Sequence, residues 1–349
     1  MTPPHGGAPL FAWPRAHGEP VGAGGYRETP EGFDVEEVLG FAPEGAGEHL
    51  WLWLEKRGLT TPELVKRLAR AFAVAPRDIG VSGLKDRGAV TRQWVSLWLP
   101  GQATPDDLAE RVASTEARLI EHARHSRKLK RGVHRGNRFR LWVSFDESLR
   151  DAFTARWQAL VTSGVPNYFG PQRFGRDGHN VTRARQLFAR GWRKRDDRQG
   201  LMLSAARSFL FNELLAQRVR AGNWNGALPG EVFNLDGTAS RFVAEEIDQL
   251  LGERLGRLDI HPTGALWGRG APESLGDVAA LERAVAAEHD AIAAGLEAAG
   301  LKQERRALRI RLEAPAIDPA AGGAWLSFTL GRGAFATAVL RELIDHPTL

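Results

Sequence analysis

Asp86 lies between two cations, Lys85 and Arg87, in the run Gly83-Leu84-Lys85-Asp86-Arg87-Gly88-Ala89-Val90-Thr91-Arg92-Gln93-Trp94. Glycines bracket the carboxylate at 83 and 88, and a strand-like stretch follows. The arrangement can hold an ionised Asp in a turn at the edge of a sheet, facing an anionic ligand; an ordinary polar turn uses the same residue types. The local motif offers no second carboxylate, which a glycosidase pair would need. A single Asp among cations suits chemistry at a glycosidic carbon in which the carboxylate stays ionised and acts as nucleophile or base. A Ser-His-Asp site lacks its GxSxG elbow. A P-loop fails on glycine spacing and on the missing Ser or Thr after Lys85. His122, His125 and His134 do not have zinc-ligand spacing, so no metal is expected.

A second signal is charge. Nine Lys or Arg fall between Arg118 and Arg140, with Glu121 as the only acid. A solvated face usually mixes both signs, so this density favours a phosphate-contact surface, with Arg124, His125, Lys128 and Lys130 as candidate RNA ligands. The adjoining Asn137 and Phe139 are residue types that read and stack an unpaired base, although Phe139 also suits a strand core. The whole chain carries a formal charge of +5, and only 7 of its 47 basic residues are Lys. Arg binds phosphate through a bidentate fork and stacks on bases, but a GC-rich genome also inflates it. There are no cysteines, which excludes disulfides and thiolate chemistry. No run is long and apolar enough to cross a membrane and no secretory leader is evident. A cytoplasmic protein with a nucleic-acid partner, and no membrane or protein partner, is expected.

The elements that would position these residues follow from periodicity. Residues 1–25 are rich in Gly and Pro and read as a loosely ordered lead-in. Phe33 and Val35 alternate with acids, as in a half-exposed strand. Leu50-Trp51-Leu52-Trp53-Leu54 reads as a buried strand. Thr61-Pro62 opens a helix, with Thr61 as cap and Leu64, Leu68 and Phe72 on one face. Residues 93–98 and 139–145 read as strands, and Thr104 to Asp107 start another helix. From Gly164 to Arg305 the helical signal dominates, with Ser204 as the cap of a helix ending before Gly222. Strands return at 308–312 and 325–330. One α/β domain with a mainly helical domain inserted into it fits this order.

The motif around Asp86 resembles the catalytic motif of the TruD family of tRNA pseudouridine synthases. Val165-Pro166-Asn167-Tyr168-Phe169-Gly170-Pro171-Gln172-Arg173-Phe174-Gly175 looks like the family's second signature, and Leu203-Ser204-Ala205-Ala206-Arg207-Ser208 with Phe211-Asn212 is similar to its third. Ala123-Arg124-His125, Lys128-Leu129-Lys130, Gly136-Asn137 and Phe335-Ala336-Thr337 with Arg341-Glu342-Leu343 also fit. The resemblance implies conversion of a tRNA uridine, at position 13 in bacteria, to pseudouridine without cofactor or metal. It implies Asp86 as the catalytic group, as nucleophile or base, and Phe33, Asn137 and Phe335 around the flipped base. It implies an α+β fold: a mixed, largely antiparallel sheet flanked by helices, formed by residues 1–163 and 309–349, with the TruD-specific domain inserted at 164–308. A family Lys that neighbours the catalytic Asp aligns with Arg27, which is never neutral and is therefore read as an orienting cation. Lys85 and Arg173 are further RNA-contact candidates. A non-catalytic RNA-binding protein and a nucleoside hydrolase are the competing readings.

Overall fold

The computed structural model describes residues 12–197 and 200–349. In chain order its first elements are β1 (Gly22–Tyr26), β2 (Phe33–Val38), β3 (His49–Arg57), α1 (Thr61–Ala71), β4 (Ile79–Val81), β5 (Val90–Trp98), α2 (Leu108–Ala113), β6 (Ala117–His125) and β7 (Gly136–Phe145). Then come α3 (Arg150–Ser163), β8 (Val165–Pro166), α4 (His179–Ala189), α5 (Leu201–Arg220), β9 (Glu231–Leu235), β10 (Arg241–Ala244), α6 (Gln249–Gly256), β11 (Ile260–Leu266), α7 (Gly276–Glu288) and α8 (Asp290–Ala298). The chain closes with β12 (Glu304–Ala307), β13 (Arg309–Ile310), β14 (Glu313–Ala320), β15 (Gly323–Gly331), α9 (Ala336–Leu340) and β16 (Ile344–Asp345). By compactness there are two units: a sheet unit of residues 23–151 with 313–333, and a helical unit of 12–22, 152–312 and 334–349.

The sheet unit is built on the order β14-β15-β7-β2-β5-β3-β6, with β4 beside β5 and β1 beside β7. Only β2 and β5 run parallel among these neighbours. Leu50, Leu52 and Leu54 point to one face and pack with Val95 and Leu97 against Leu64 and Leu68 of α1. Each such leucine, taken fully out of water, stabilises the fold by about 1.5–3 kcal/mol. α1 starts one residue earlier than its sequence suggests: Thr60 is the cap and forms a capping box with Glu63. Thr61, the expected cap, is buried and spends its hydroxyl elsewhere, as described below. The expected helix at Thr104 begins only at Leu108; the Thr104 hydroxyl instead accepts from Arg124 Nε at 3.2 Å.

In the helical unit, α5 starts at Leu201 rather than at Ser204. The Asp197 carboxylate accepts from the N–H groups of Met202 and Leu203, both at 3.0 Å, and so satisfies the first turn. The 164–308 segment is mainly helical, but it also holds a four-stranded sheet, β10-β9-β11-β12, that its sequence does not advertise. Two residues of β11 explain this: Pro262 cannot donate to a ladder and Gly264 weakens a strand pattern. Gly264 is needed for close packing, since a Cβ there would lie 2.8 Å from Leu214 Cδ2 and 2.9 Å from Leu308 Cδ2.

Of the Gly- and Pro-rich lead-in, residues 1–11 lie outside the described residues. The remainder is not loose. Trp13 stacks 6.0 Å from Tyr168 and donates to Glu213 Oε1 at 2.9 Å. Gly24 to Tyr26 ladder onto Val143 to Phe145. Among the described residues no helix is long and apolar enough to cross a membrane.

Candidate active site

The strand register sets the site. In β2 and β7 the opposed pairs Phe33–Leu141, Val35–Phe139 and Glu37–Asn137 fall on one face, because side chains alternate with period two. The 82–88 turn is held on this same face. Lys85 Nζ lies 2.7 Å from Glu37 Oε2, with both side chains buried. Lys85 N–H donates to Thr61 Oγ1 at 2.9 Å, and that hydroxyl donates to Gln93 Oε1 at 2.8 Å. Ser82 Oγ accepts from His134 N–H at 2.7 Å and bonds His134 Nδ1 at 2.6 Å. Between these anchors Asp86 stays open, its side chain 53% exposed.

Arg27 faces it. Arg27 Nη2 donates to Asp86 Oδ2 at 2.5 Å. The same guanidinium lies over the Phe33 ring, 4.0 Å from its centroid, so Phe33 is a floor beneath the cation. Arg27 takes a left-handed backbone, φ 59°, which is costly for a side chain of this size. Two polar atoms here are buried without a protein partner among the described residues: Arg27 Nε and Asn137 Oδ1. An unpaired buried acceptor costs about 1–3 kcal/mol and is a place for a ligand donor.

A second cation lies beneath the turn. Lys56 is 1% exposed, and its Nζ donates to Leu59 O at 2.5 Å and to the Asp86 carbonyl at 3.1 Å. Burial, with Lys85 adding to it, pushes this ammonium down to about 8, against the opposing pull of Asp86. Burial, then the neighbouring Lys85 and Arg332, push His134 down to about 4, so it is a neutral support at physiological pH. Burial raises the Glu37 carboxyl, and Lys85 opposes the rise. Sequence reasoning passed over Lys56 and Glu37, yet both had a signal. Each stands at the inward position of an apolar alternation, 50-52-54-56 and 33-35-37, where a charge must be paired.

Two of the RNA-contact candidates are buried. Lys85 is buried against Glu37. His125 is buried and stacked 4.4 Å from Trp51, with Nδ1 accepting from Arg127 N–H at 3.0 Å. Arg124 donates to Thr104 Oγ1 and to Gln102 O, and Lys128 to Arg77 O. Lys130 is exposed.

Phe335 and Arg173 belong to the helical unit. Phe335 packs 6.1 Å from Phe169, and Arg173 lies 5.5 Å from the Phe169 ring and 5.9 Å from the Phe335 ring. Arg306 stacks on Phe169 at 4.0 Å and donates to Asn167 Oδ1 at 2.5 Å. Burial and the nearby Arg173 push its guanidinium down to about 9, so it stays charged at neutral pH. This cation–aromatic cluster is built from the 165–175 signature and from a strand far along the chain.

A family model described as tRNA pseudouridine synthase D (TruD) matches residues 16–194 and 195–343. The chain belongs to the TruD family. A tRNA pseudouridine synthase D of Chromohalobacter salexigens is 58% identical over 338 residues, covering 97% of each chain. One of Methylococcus capsulatus is 45% identical over 336 residues, covering 95% of this chain and 94% of the relative. A crystal structure from Methanosarcina mazei, assigned to tRNA pseudouridine synthase D, superposes with a TM-score of 0.69 at 21% identity, covering 97% of this chain and 96% of that one. At that identity the likeness concerns the TruD fold: a mixed, largely antiparallel sheet with flanking helices.

Proposed function

We propose that Asp86 is the catalytic group of the TruD reaction in this chain, and that the substrate is uridine 13 of tRNA. The activity at its coarser level comes with the family: a tRNA pseudouridine synthase isomerises uridine to pseudouridine. The N1–C1′ bond breaks, the uracil turns, C5 bonds to C1′, and the proton lost from C5 is balanced by one gained at N1.

The observation that carries the reading is the Arg27–Asp86 pair at 2.5 Å above Phe33, on a turn anchored from three sides. Asp86 Oδ2 is held by Arg27, and Oδ1 has no hydrogen bond among the described residues, so one oxygen is left for chemistry at C1′. Arg27 orients the carboxylate and cannot relay a proton. The uncommitted Asn137 Oδ1 suits the N–H of a detached uracil, which needs a partner while it turns. In the helical unit, Phe335 and Arg173 offer a stacking and cationic surface to RNA. The family's inserted domain is taken as 164–308, which lies wholly within the helical unit. A tRNA substrate supports a cytoplasmic location.

Incubation with unmodified tRNA tests this reading. The expected result is pseudouridine at position 13 with no free uracil. Release of uracil would indicate a hydrolase, and modification elsewhere in the tRNA would remove the positional assignment.

A further inference from the structure

The basic residues of the helical unit are placed differently from those of the 118–140 segment. α4 and the turn after it carry Arg183, Arg185, Arg190, Arg193, Lys194 and Arg195, and Arg176 precedes the helix. Within α4, His179–Ala189, there is no Asp or Glu. Val181, Ala184 and Leu187 are buried and fix the inner face. His179, Arg183, Gln186 and Arg190 then form the outer stripe, at steps of four, three and four residues. At 100° per residue they fall within about 60° of arc, and the row is about 16 Å long. Arg176, His179, Arg183, Gln186 and Arg190 are all exposed, as are Arg193, Lys194 and Arg195 beyond the helix.

Few of these cations are used inside the protein. Arg185 lies over the Phe209 ring at 5.4 Å. Arg190 Nε donates to Gln186 O at 3.2 Å, as a helix C-terminus favours. Arg195 approaches Asp196 only at 4.0 Å. Among the described residues no carboxylate pairs with Arg176, Arg183, Arg190, Arg193 or Lys194. A solubilising helix face would mix signs, as α7 does with the exposed Asp277, Arg283 and Glu288. Exposed cations without a carboxylate partner among the described residues, two of them (Arg183 and Arg190) on one helical stripe, match a run of backbone phosphates on a chain whose substrate is an RNA.

We propose that the outer face of α4, continued through Arg193 and Lys194, binds tRNA by its phosphate backbone. The proposal rests on the tRNA reading above and assigns a contact surface to it. The surface reads charge and shape, and it contributes affinity rather than choice of base.

The test is binding of unmodified tRNA over a range of salt, comparing wild type with the variant Arg183→Gln/Arg190→Gln/Arg193→Gln/Lys194→Gln. Gln keeps the helix-forming tendency, and the sites are exposed, so the melting temperature checks that the fold is retained. The slope of log affinity against log salt is expected to fall in magnitude by roughly three for the four cations. KM for tRNA should rise by a larger factor than kcat falls. The control, Arg254→Gln/Arg257→Gln, removes cations already paired with Asp259 and Glu253 and should leave the slope in place. An unchanged slope in the quadruple variant, while the wild type still makes pseudouridine, overturns the proposal alone. A wild type that makes none overturns the tRNA reading instead. Loss of binding to anionic phospholipid vesicles, with the tRNA slope intact, would give the surface to lipid headgroups and also overturn the proposal.

Discussion

The sheet unit and α4 use the same residue types to opposite ends. Between Arg118 and Arg140 the sheet unit carries nine cations. Three of them are ion-paired: Arg118 with Glu55 at 2.9 Å, Arg135 with Glu313 at 2.7 Å and Arg138 with Glu36 at 2.8 Å. Arg124 and Lys128 donate to oxygens of their own chain, and Arg140 lies over Trp325 at 4.2 Å. Arg127, Lys130 and Arg131 remain exposed without an ion pair among the described residues. On α4 the outer cations have no acid opposite them among the described residues. The density of charge in a segment is therefore a poor measure of charge offered to a ligand. The neutralising acids of the sheet unit come from strands remote in sequence, which local composition cannot reveal.

Near Asp86 the internal use of charge is most complete, and the largest effect is expected there. Replacing Lys85 with Met leaves Glu37 buried without its partner, which should cost about 3–5 kcal/mol of stability. Denaturant unfolding would measure it, and the salt slope for tRNA should not change. A stable Lys85→Met protein with a weaker slope would place this lysine on the RNA after all and break the contrast.

Acid should act through His134. Its folded value of about 4 lies below the ordinary 6.5 because burial and Lys85 disfavour the charged ring. The unfolded chain binds this proton first, so stability is present above about 6.5 and lost as pH falls towards 4. The loss attributable to His134 is about 3 kcal/mol by the size of the shift. Unfolding measured between pH 7 and 4 checks it, and His134→Gln should flatten that part of the profile. A profile identical to wild type would remove the ring as the acid-sensitive support.

The paired surface cations should matter least. Arg138→Gln removes an exposed pair with Glu36 and is expected to cost about 0–1 kcal/mol. For RNA affinity, Lys130→Ala should lower the salt slope by about one, and Arg124→Ala, whose guanidinium is committed to Thr104 and Gln102, should lower it less. The reverse order would mean that the internal bonds of Arg124 open when RNA binds.

How much of this was legible in the sequence depends on whether a pattern is local. The strands read at 33–38 and 139–145 follow from alternation and those at 50–54 and 93–98 from apolar runs, and the bracketing of Asp86 follows from the motif itself. Arg27, at the Asp86 carboxylate, is 59 residues upstream. Only the family resemblance connected the two, since no local pattern could. Lys56 and Glu37 were visible as charges at inward positions, but their partners were not. The four-stranded sheet at 231–307 was hidden because Pro262 and Gly264 argue against a strand while tertiary packing imposes one. Ser204 read as a cap, but the Asp197 carboxylate reaches the helix first.

The central claim is that Asp86 performs the chemistry and that the surrounding cations hold it in place. Single-turnover formation of pseudouridine in unmodified tRNA, with saturating enzyme, measures this directly for wild type and Asp86→Asn. Saturation removes binding from the comparison, and Asn keeps the size of the side chain while removing the carboxylate. The account predicts product from the wild type and none above background from Asp86→Asn, with tRNA affinity retained. Product formed by Asp86→Asn at the wild-type rate would contradict it.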